Sequence, residues 1–259
     1  VLGIVTRAVV ALRPLRDGLA TAALALHRPE DALTALDAAR RAFGPDLSAF
    51  EAMWPDFVST MSARTAFSLP FGAPPLALLV EVRDATDASA HERMQAFLEA
   101  GAASGWLMDA VLAGSLSQAR ALWQLRDEGP ASYRQVFASD VQFDVSVPAP
   151  RLIDTALALA PAVDGEGLYP MTYGHIGDQN LHAVVGADDT LGEEQKRAIQ
   201  DKVYAIVTAA GGVVSAEHGI GQLKKPFLPL TRSPLAMEIM RGLKRQLDPK
   251  GILNPGRVI

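Results

Sequence analysis

The hydrophobic and polar positions along the chain follow two spacings, and these predict strands that alternate with helices. Short apolar runs bounded by Gly, Pro, Asn or Asp are typical of strands, and apolar residues three and four positions apart are typical of amphipathic helices. Strands are predicted at 7–12, 47–54, 75–82, 108–112, 141–147, 168–176 and 181–185. Helices are predicted at 30–43, 55–64, 89–101, 115–125, 191–209 and 234–247, with others beginning at Arg151 and around Lys224. No element is assigned to the Ala-rich stretch between Pro14 and Arg28.

This alternation, together with a hairpin at 168–185, predicts an α+β fold in which helices cover one face of an antiparallel sheet. The specific expectation is a ferredoxin-like arrangement followed by a helical C-terminal extension. Two similar β-α-β blocks, before and after about residue 140, hint at an internal duplication. Their sequence identity is too weak to establish it.

The predicted hairpin contains two histidines that can share a face of the sheet. With a two-residue loop at Asp178 and Gln179, His175 lies opposite His182. Directly opposed residues have Cβ atoms roughly 4.5–5.5 Å apart, so two imidazoles at that distance can bind one metal ion. The prediction depends on register, because a loop longer by one residue would turn one ring to the other face.

A second stretch, Val213–Gly221, reads as a short strand that runs into a Gly-rich turn carrying Glu217 and His218. Two His and one Glu form a three-ligand set of the kind that open catalytic metal sites use. His218 would then be a free imidazole whose unperturbed pKa of about 6.5 suits proton transfer. In the alternative interpretation, the histidines are hydrogen-bonded residues of a sheet. Spacing alone leaves both interpretations open.

Composition restricts the possible functions. The 259 residues suffice for one large domain or two small ones, and the net charge of −5 gives no general attraction to nucleic acid or anionic membranes. The absence of cysteine excludes disulfides, thiolate ligands and a Cys nucleophile, and it is compatible with a cytoplasmic location. No apolar run reaches the roughly 18–20 residues that span a bilayer. Because the chain opens directly on apolar residues at Val1, we expect a fragment of a longer polypeptide.

Three motifs, at 173–182, 215–221 and 247–256, resemble the C-terminal signatures of FAD-linked D-2-hydroxyacid dehydrogenases of the vanillyl-alcohol-oxidase type. That family includes D-lactate dehydrogenase, D-2-hydroxyglutarate dehydrogenase and the glycolate oxidase catalytic subunit. The resemblance covers the whole chain. It implies the end of an FAD-binding domain at 1–12, a substrate and metal domain at 13–232, and a C-terminal helix with a flavin-side tail at 233–259.

The resemblance also implies a role for each matched residue. The implied site comprises the metal ligands His175, His182 and Glu217, the proton acceptor His218, the substrate contacts Arg126 and Gln142, and the flavin contact Asn254. Arg126 would clamp the substrate carboxylate. Gln142 stands where the dicarboxylate branch has Lys, so the resemblance implies the reaction class more firmly than 2-hydroxyglutarate as substrate. Gln179 stands where the hairpin loop commonly has Gly, because a positive φ would cost another residue about 1 kcal/mol.

The expected function is the substrate- and metal-binding part of a flavin-dependent dehydrogenase that oxidises a D-2-hydroxyacid to a 2-oxoacid. The resemblance implies FAD, bound mainly by a domain absent from this sequence, and a divalent metal, zinc or manganese. One alternative is a catalytically incompetent module that binds metal and hydroxyacid. Another is a metallohydrolase that uses metal-bound water. The expected partners are a small hydroxyacid and an unidentified electron acceptor, with a homodimer as one option for assembly.

Overall fold

The computed structural model describes residues 2–12 and 15–259, so Val1 and the predicted domain start at residue 13 lie outside the described residues. The strands are β1 Gly18–Leu26, β2 Leu47–Met53, β3 Leu76–Asp84, β4 Leu107–Leu112, β5 Ser139–Ser146, β6 Leu168–Gly174 and β7 Asn180–Ala187. The helices are α1 Ala32–Phe43, α2 Pro55–Arg64, α3 Asp87–Ala103, α4 Leu116–Ala131, α5 Tyr133–Val136, α6 Ala149–Ala162, α7 Glu193–Ala209 and α8 Pro234–Leu247. Short 3₁₀ turns lie at Pro29–Asp31, Gly44–Asp46, Ile176–Asp178 and Lys225–Leu230.

Within the described residues, the strands form one sheet in the order β4-β1-β3-β2-β6-β7-β5, and its paired strands are antiparallel. The predicted α+β class with an antiparallel sheet is therefore confirmed. Predicted helices at 55–64 and 234–247 coincide with α2 and α8. No helix among the described residues is both long and apolar enough to cross a membrane.

Helices cover both faces of the sheet, so the prediction of one covered face is wrong. Alternate strand residues point to opposite faces and build two separate apolar clusters. Leu24 and Val80 pack with α1, α3, α6 and α7 on one face, and Met53 and Leu79 pack with α2 and α4 on the other. The sequence shows the apolar stripe of each helix but not the side on which its connection crosses the sheet.

The predicted strand at 7–12 is also wrong, because these residues are exposed and have no regular structure. The first strand is β1, which lies in the Ala-rich stretch that carried no prediction. Alanine has a low β propensity, which hid the strand. The strand is nevertheless paired with β3 and β4, and its small side chains are almost fully buried on the two faces of the sheet. Similarly, α3 begins before Ser89, because Thr86 caps it by accepting from the Ser89 N–H group.

The sheet consists of two halves with the same relative strand order. The first half is β4-β1-β3-β2, and the second is β6-β7-β5 with Val213 bridging Ser146 on the outer side of β5. The halves meet where β2 pairs with β6, at Ala52–Gly174 and Met53–Tyr173. An internal duplication would produce this repeated order. The duplication and the ferredoxin-like description stay predictions.

Candidate active site

The hairpin of β6 and β7 brings the two predicted histidines together, although in a different register. Tyr173, not His175, lies opposite His182, so the predicted pairing is wrong by two residues. The loop is longer than predicted because it holds the Ile176–Asp178 turn and a left-handed Gln179 with φ 60°. Side-chain direction repeats every two residues, so this slip keeps both rings on one face. Their centroids lie 5.2 Å apart.

Glu217 completes a cluster with these rings from the turn that follows the Val213 bridge. Its Oε2 lies 3.9 Å from His175 Nε2 and 3.8 Å from His182 Nε2. One candidate ligand atom from each of the three residues lies within 4.8 Å of the others. The structure thus brings the predicted ligands together, and their role as ligands stays a prediction.

His218 lies beside this cluster on its solvent side. Its ring stacks on that of His182 with centroids 5.9 Å apart, and its side chain is 60% exposed. Its Nδ1 lies 3.9 Å from Asp144 Oδ2, which is too far for a hydrogen bond. The ring is therefore accessible to a molecule that binds next to the cluster.

Glu51 on β2 is a site residue that sequence reasoning missed. Its buried carboxylate accepts a hydrogen bond from His175 Nδ1 at 2.6 Å and another from Arg126 Nε at 2.8 Å. A carboxylate that binds the Nδ1 proton fixes the tautomer and leaves Nε2 as an acceptor on the side of the cluster. The signal that could have found it is an acidic residue inside an apolar strand.

The pKa values of Glu51, His175 and His182 depend on one another. Burial raises the pKa of Glu51, but the hydrogen bond from His175 and the charge of Arg126 outweigh it, and the pKa is lowered. The hydrogen bond to Glu51 raises the pKa of His175. Burial, with the charges of His175 and Arg126, lowers the pKa of His182 to about 4. His182 is therefore neutral near pH 7, as a metal ligand must be.

Arg126 on α4 is buried in this site rather than solvated. Its guanidinium lies 4.8 Å above the ring of Tyr173 and donates to His175 Nε2 at 3.2 Å. Its side chain lines the same cavity as the His and Glu cluster. It is thus placed to interact with an anionic group in that cavity.

Asp144 on β5, opposite His182, is the second residue that the sequence reasoning missed. Its carboxylate is fully buried and accepts hydrogen bonds from the backbone N–H groups of Glu217 and His218. Burial raises the pKa of Asp144, but these N–H groups and the charge of Lys224 outweigh it, and the pKa falls to about 2. An acidic residue in an alternating strand was the available signal.

One open cavity of about 820 Å³ is lined by Glu51, Arg126, His218 and the His and Glu cluster, whereas Asp144 and Lys224 do not line it. Two predicted site residues, Gln142 and Asn254, are not among the described residues that line this cavity. Gln142 is exposed and donates to Asp140 Oδ2 at 2.7 Å. Asn254 is exposed with φ 48°, in a tail that Val258 N–H ties to the Gly221 carbonyl oxygen. Their roles stay predictions.

The donor set of the cluster fits a divalent transition metal. Two imidazole nitrogens and one carboxylate oxygen are ligand types that zinc and manganese accept, and three protein ligands leave positions for substrate. The hydrogen bond from His175 Nδ1 to Glu51 is the usual support for a histidine that binds metal through its other nitrogen. A metal at His175 would replace the Arg126 contact to Nε2.

Comparison with known proteins identifies relatives of this chain. The family described as "FAD linked oxidases, C-terminal domain" matches residues 18–258. The mitochondrial D-2-hydroxyglutarate dehydrogenase of Rattus norvegicus is 31% identical over 261 residues, which cover 100% of this chain and 48% of the rat protein. The D-2-hydroxyglutarate dehydrogenase of Stutzerimonas stutzeri (strain A1501) is 32% identical over 225 residues, covering 82% of this chain and 47% of that protein. The chain therefore spans about half the length of these relatives.

Solved structures with the same fold are more distant in sequence. p-Cresol methylhydroxylase with bound substrate superposes with a TM-score of 0.62 at 13% identity, over 95% of this chain and 53% of that one. The 4-ethylphenol oxidase of Gulosibacter chungangensis, in its isoeugenol complex, gives 0.62 at 14% identity, over 95% and 54% of the two chains. At this identity the likeness shows the fold alone.

Proposed function

This chain belongs to the family of FAD linked oxidases, C-terminal domain, and on that basis we propose that it is the substrate- and metal-binding part of a flavin-dependent dehydrogenase that oxidises a D-2-hydroxyacid to a 2-oxoacid. The observation that carries the proposal is the His175, His182 and Glu217 cluster, which shares a cavity with His218 and Arg126. Relatives in rat and Stutzerimonas stutzeri that are named D-2-hydroxyglutarate dehydrogenases support this reaction class.

Each residue of the cavity has a distinct part in this proposal. His175, His182 and Glu217 would hold a divalent zinc or manganese ion, which when bound would lower the pKa of the substrate hydroxyl. His218, whose exposed ring lies beside these ligands, takes the hydroxyl proton as a general base. Arg126 pairs with the substrate carboxylate, since its guanidinium lines the same cavity.

The family implies FAD, which when bound would supply the acceptor for the hydride of the α-carbon. Asn254 would contact an edge of the flavin, as the family resemblance implies, and it is exposed. Gln142 contacts the substrate only if its amide leaves Asp140, and it offers no charge for a second carboxylate.

The metal and the hydroxyacid can be tested on the 259-residue chain itself. After treatment with chelator, titration with Zn²⁺ or Mn²⁺ should give one ion per chain. His182→Ala should abolish it, and His91→Ala should not, because His91 contacts the Asp87 and Ala113 carbonyls far from the site. With metal present, D-lactate or D-2-hydroxyglutarate should bind more tightly than its L enantiomer. Equal metal binding by His182→Ala, or no preference between enantiomers, would overturn the assignment.

We also propose a cytoplasmic location, with which the absence of cysteine is compatible. The relative in rat is named mitochondrial, so cell fractionation decides between the two compartments. A homodimer is one option for the assembly, and sedimentation of the purified chain in the analytical ultracentrifuge would measure its oligomeric state.

A further inference from the structure

The turn that carries Glu217 and His218 has little regular structure of its own. Beyond the Val213 bridge, residues 214–221 belong to no helix or strand. The side chains of Glu217 and His218 are 53% and 60% exposed, so apolar packing does little to hold them. Some other interaction must fix them next to the two histidines.

The carboxylate of Asp144 supplies that interaction from below the turn. It accepts the N–H group of His218 at 2.7 Å and that of Glu217 at 3.0 Å. It also accepts the ammonium of Lys224 at 3.3 Å, and it shares the hydroxyl proton of Ser215, at 3.2 Å, with the Gly219 carbonyl at 3.0 Å. The backbone carbonyl of Asp144 accepts the N–H group of Ala216 at 3.2 Å. Consecutive residues of the turn are thus bound to one fully buried residue of β5.

From this geometry we infer that Asp144 is the positioning residue of the site, holding the turn so that Glu217 reaches both histidines and His218 stacks on His182. The inference rests on the proposed function, because it names what places the metal ligand and the base. Asp144 stands directly opposite His182 in the ladder of β5 and β7. One residue therefore fixes the turn relative to the strand that carries the other ligand.

Asp144 could instead be a ligand in a second cluster, because its oxygen lies within 4.8 Å of nitrogens of His182 and His218. The hydrogen bonds argue against this. Two backbone N–H groups, one hydroxyl and one ammonium converge on Oδ2, which is the oxygen 3.9 Å from His218 Nδ1. The other oxygen, Oδ1, shares the N–H group of Glu217. The ammonium of Lys224 would also repel a cation at that place.

The test compares metal affinity with backbone protection in the full chain. Asp144→Asn keeps the size of the side chain and replaces one acceptor oxygen with a donor. We expect Zn²⁺ binding about 10- to 100-fold weaker, as for other residues that orient metal ligands. Hydrogen–deuterium exchange should become faster at the N–H groups of Glu217 and His218. Leu159→Ala truncates a buried side chain of α6, so it should lower the melting temperature without changing the metal affinity or the exchange at Glu217 and His218.

Each outcome decides something. Unchanged affinity and unchanged exchange in Asp144→Asn would overturn the inference. If the wild-type chain binds no Zn²⁺ or Mn²⁺, the metal assignment of the proposed function fails, and exchange at Glu217 and His218 alone judges Asp144. If Asp144→Asn does not fold, Ser215→Ala removes one donor to the same carboxylate, and we expect binding about 2- to 10-fold weaker. Unchanged binding and exchange in Ser215→Ala would then overturn it.

Discussion

Two buried carboxylates flank the histidine pair, and they serve it in different ways. Glu51 lies on one side, next to His175, and Asp144 lies on the other, opposite His182. Both are paired with a largely buried cation, and both have lowered pKa values because their hydrogen-bond donors and cations outweigh burial. They differ in what they bind. Glu51 binds side chains, whereas Asp144 binds mainly the backbone of a turn.

This difference follows from the elements on each side. Glu51 and Arg126 lie on a strand and a helix whose positions the sheet and the second apolar cluster already determine. Glu51 therefore sets the tautomer and charge of a ring that is already in place. Asp144 faces a segment without regular structure, so its bonds determine where Glu217 and His218 lie. Similar buried ion pairs can thus tune one part of a site and build another.

The largest expected effect is on stability, at the Glu51 side. Glu51→Ala leaves the guanidinium of Arg126 buried without its carboxylate, and breaking a buried pair in this way costs about 3–5 kcal/mol. Urea unfolding should show this loss in the free energy of unfolding. The double variant Glu51→Ala with Arg126→Met should recover a large part of it, because no unpaired charge remains. A double variant less stable than Glu51→Ala would show that the charge imbalance is not the cause.

Most helices and strands could be predicted from the sequence, because apolar spacing reports directly on which side chains are buried. Apolar spacing missed β1, whose alanines carry little β propensity, and it could not tell which face each helix covers. The two histidines lie on the same face despite the wrong register, because the predicted pairing was wrong by two residues and side-chain direction in a strand repeats every two residues.

Local spacing could not show which groups the two carboxylates bind. Glu51 and His175 are 124 positions apart, and Asp144 and Glu217 are 73 apart. No local spacing connects residues at these separations, and an acidic residue within a strand was the signal at each position. Their meaning depends on the sheet order, which places β2 beside β6 and β5 beside β7. Motifs therefore indicated the candidate ligands, and only the fold identified the residues that hold them in place.

A smaller effect, of about 3 kcal/mol at most, concerns pH and the ring between the two carboxylates. The pKa of His182 is lowered from its ordinary 6.5 to about 4, mainly by burial. Between pH 6.5 and about 4, the His182 ring is protonated in the unfolded chain and neutral in the folded chain. The free energy of unfolding is therefore highest above pH 6.5 and falls as the pH drops toward 4. Chelator-treated His182→Gln should lack this contribution. Urea unfolding at pH 4 to 7 measures it, and an equally steep fall in the variant would contradict the prediction.

The smallest effect tests the hairpin loop that links the two sides. The backbone carbonyl of Gln179 accepts from the Val147 N–H group at 3.1 Å, and its side-chain oxygen accepts from that of Ala149, also at 3.1 Å. The loop near His175 is thus bound to the segment that follows β5. Gln179 makes these bonds at φ 60°, a left-handed conformation that disfavours any residue with a Cβ. Strain and hydrogen bonding therefore oppose one another at this single position.

Two variants separate these contributions. Gln179→Ala and Gln179→Gly both lose the side-chain bond to Ala149, but only Ala keeps the left-handed strain. Strain of roughly 1–2 kcal/mol, less the greater freedom that Gly gives the unfolded chain, leaves Gly more stable than Ala by about 1 kcal/mol. Gln179→Gly should lie close to the wild type, because relief of strain offsets the lost bond of about 1 kcal/mol. Urea unfolding of the three chains measures both differences. A Gly variant no more stable than the Ala variant would show that the loop moves away from the left-handed conformation when the side chain is lost.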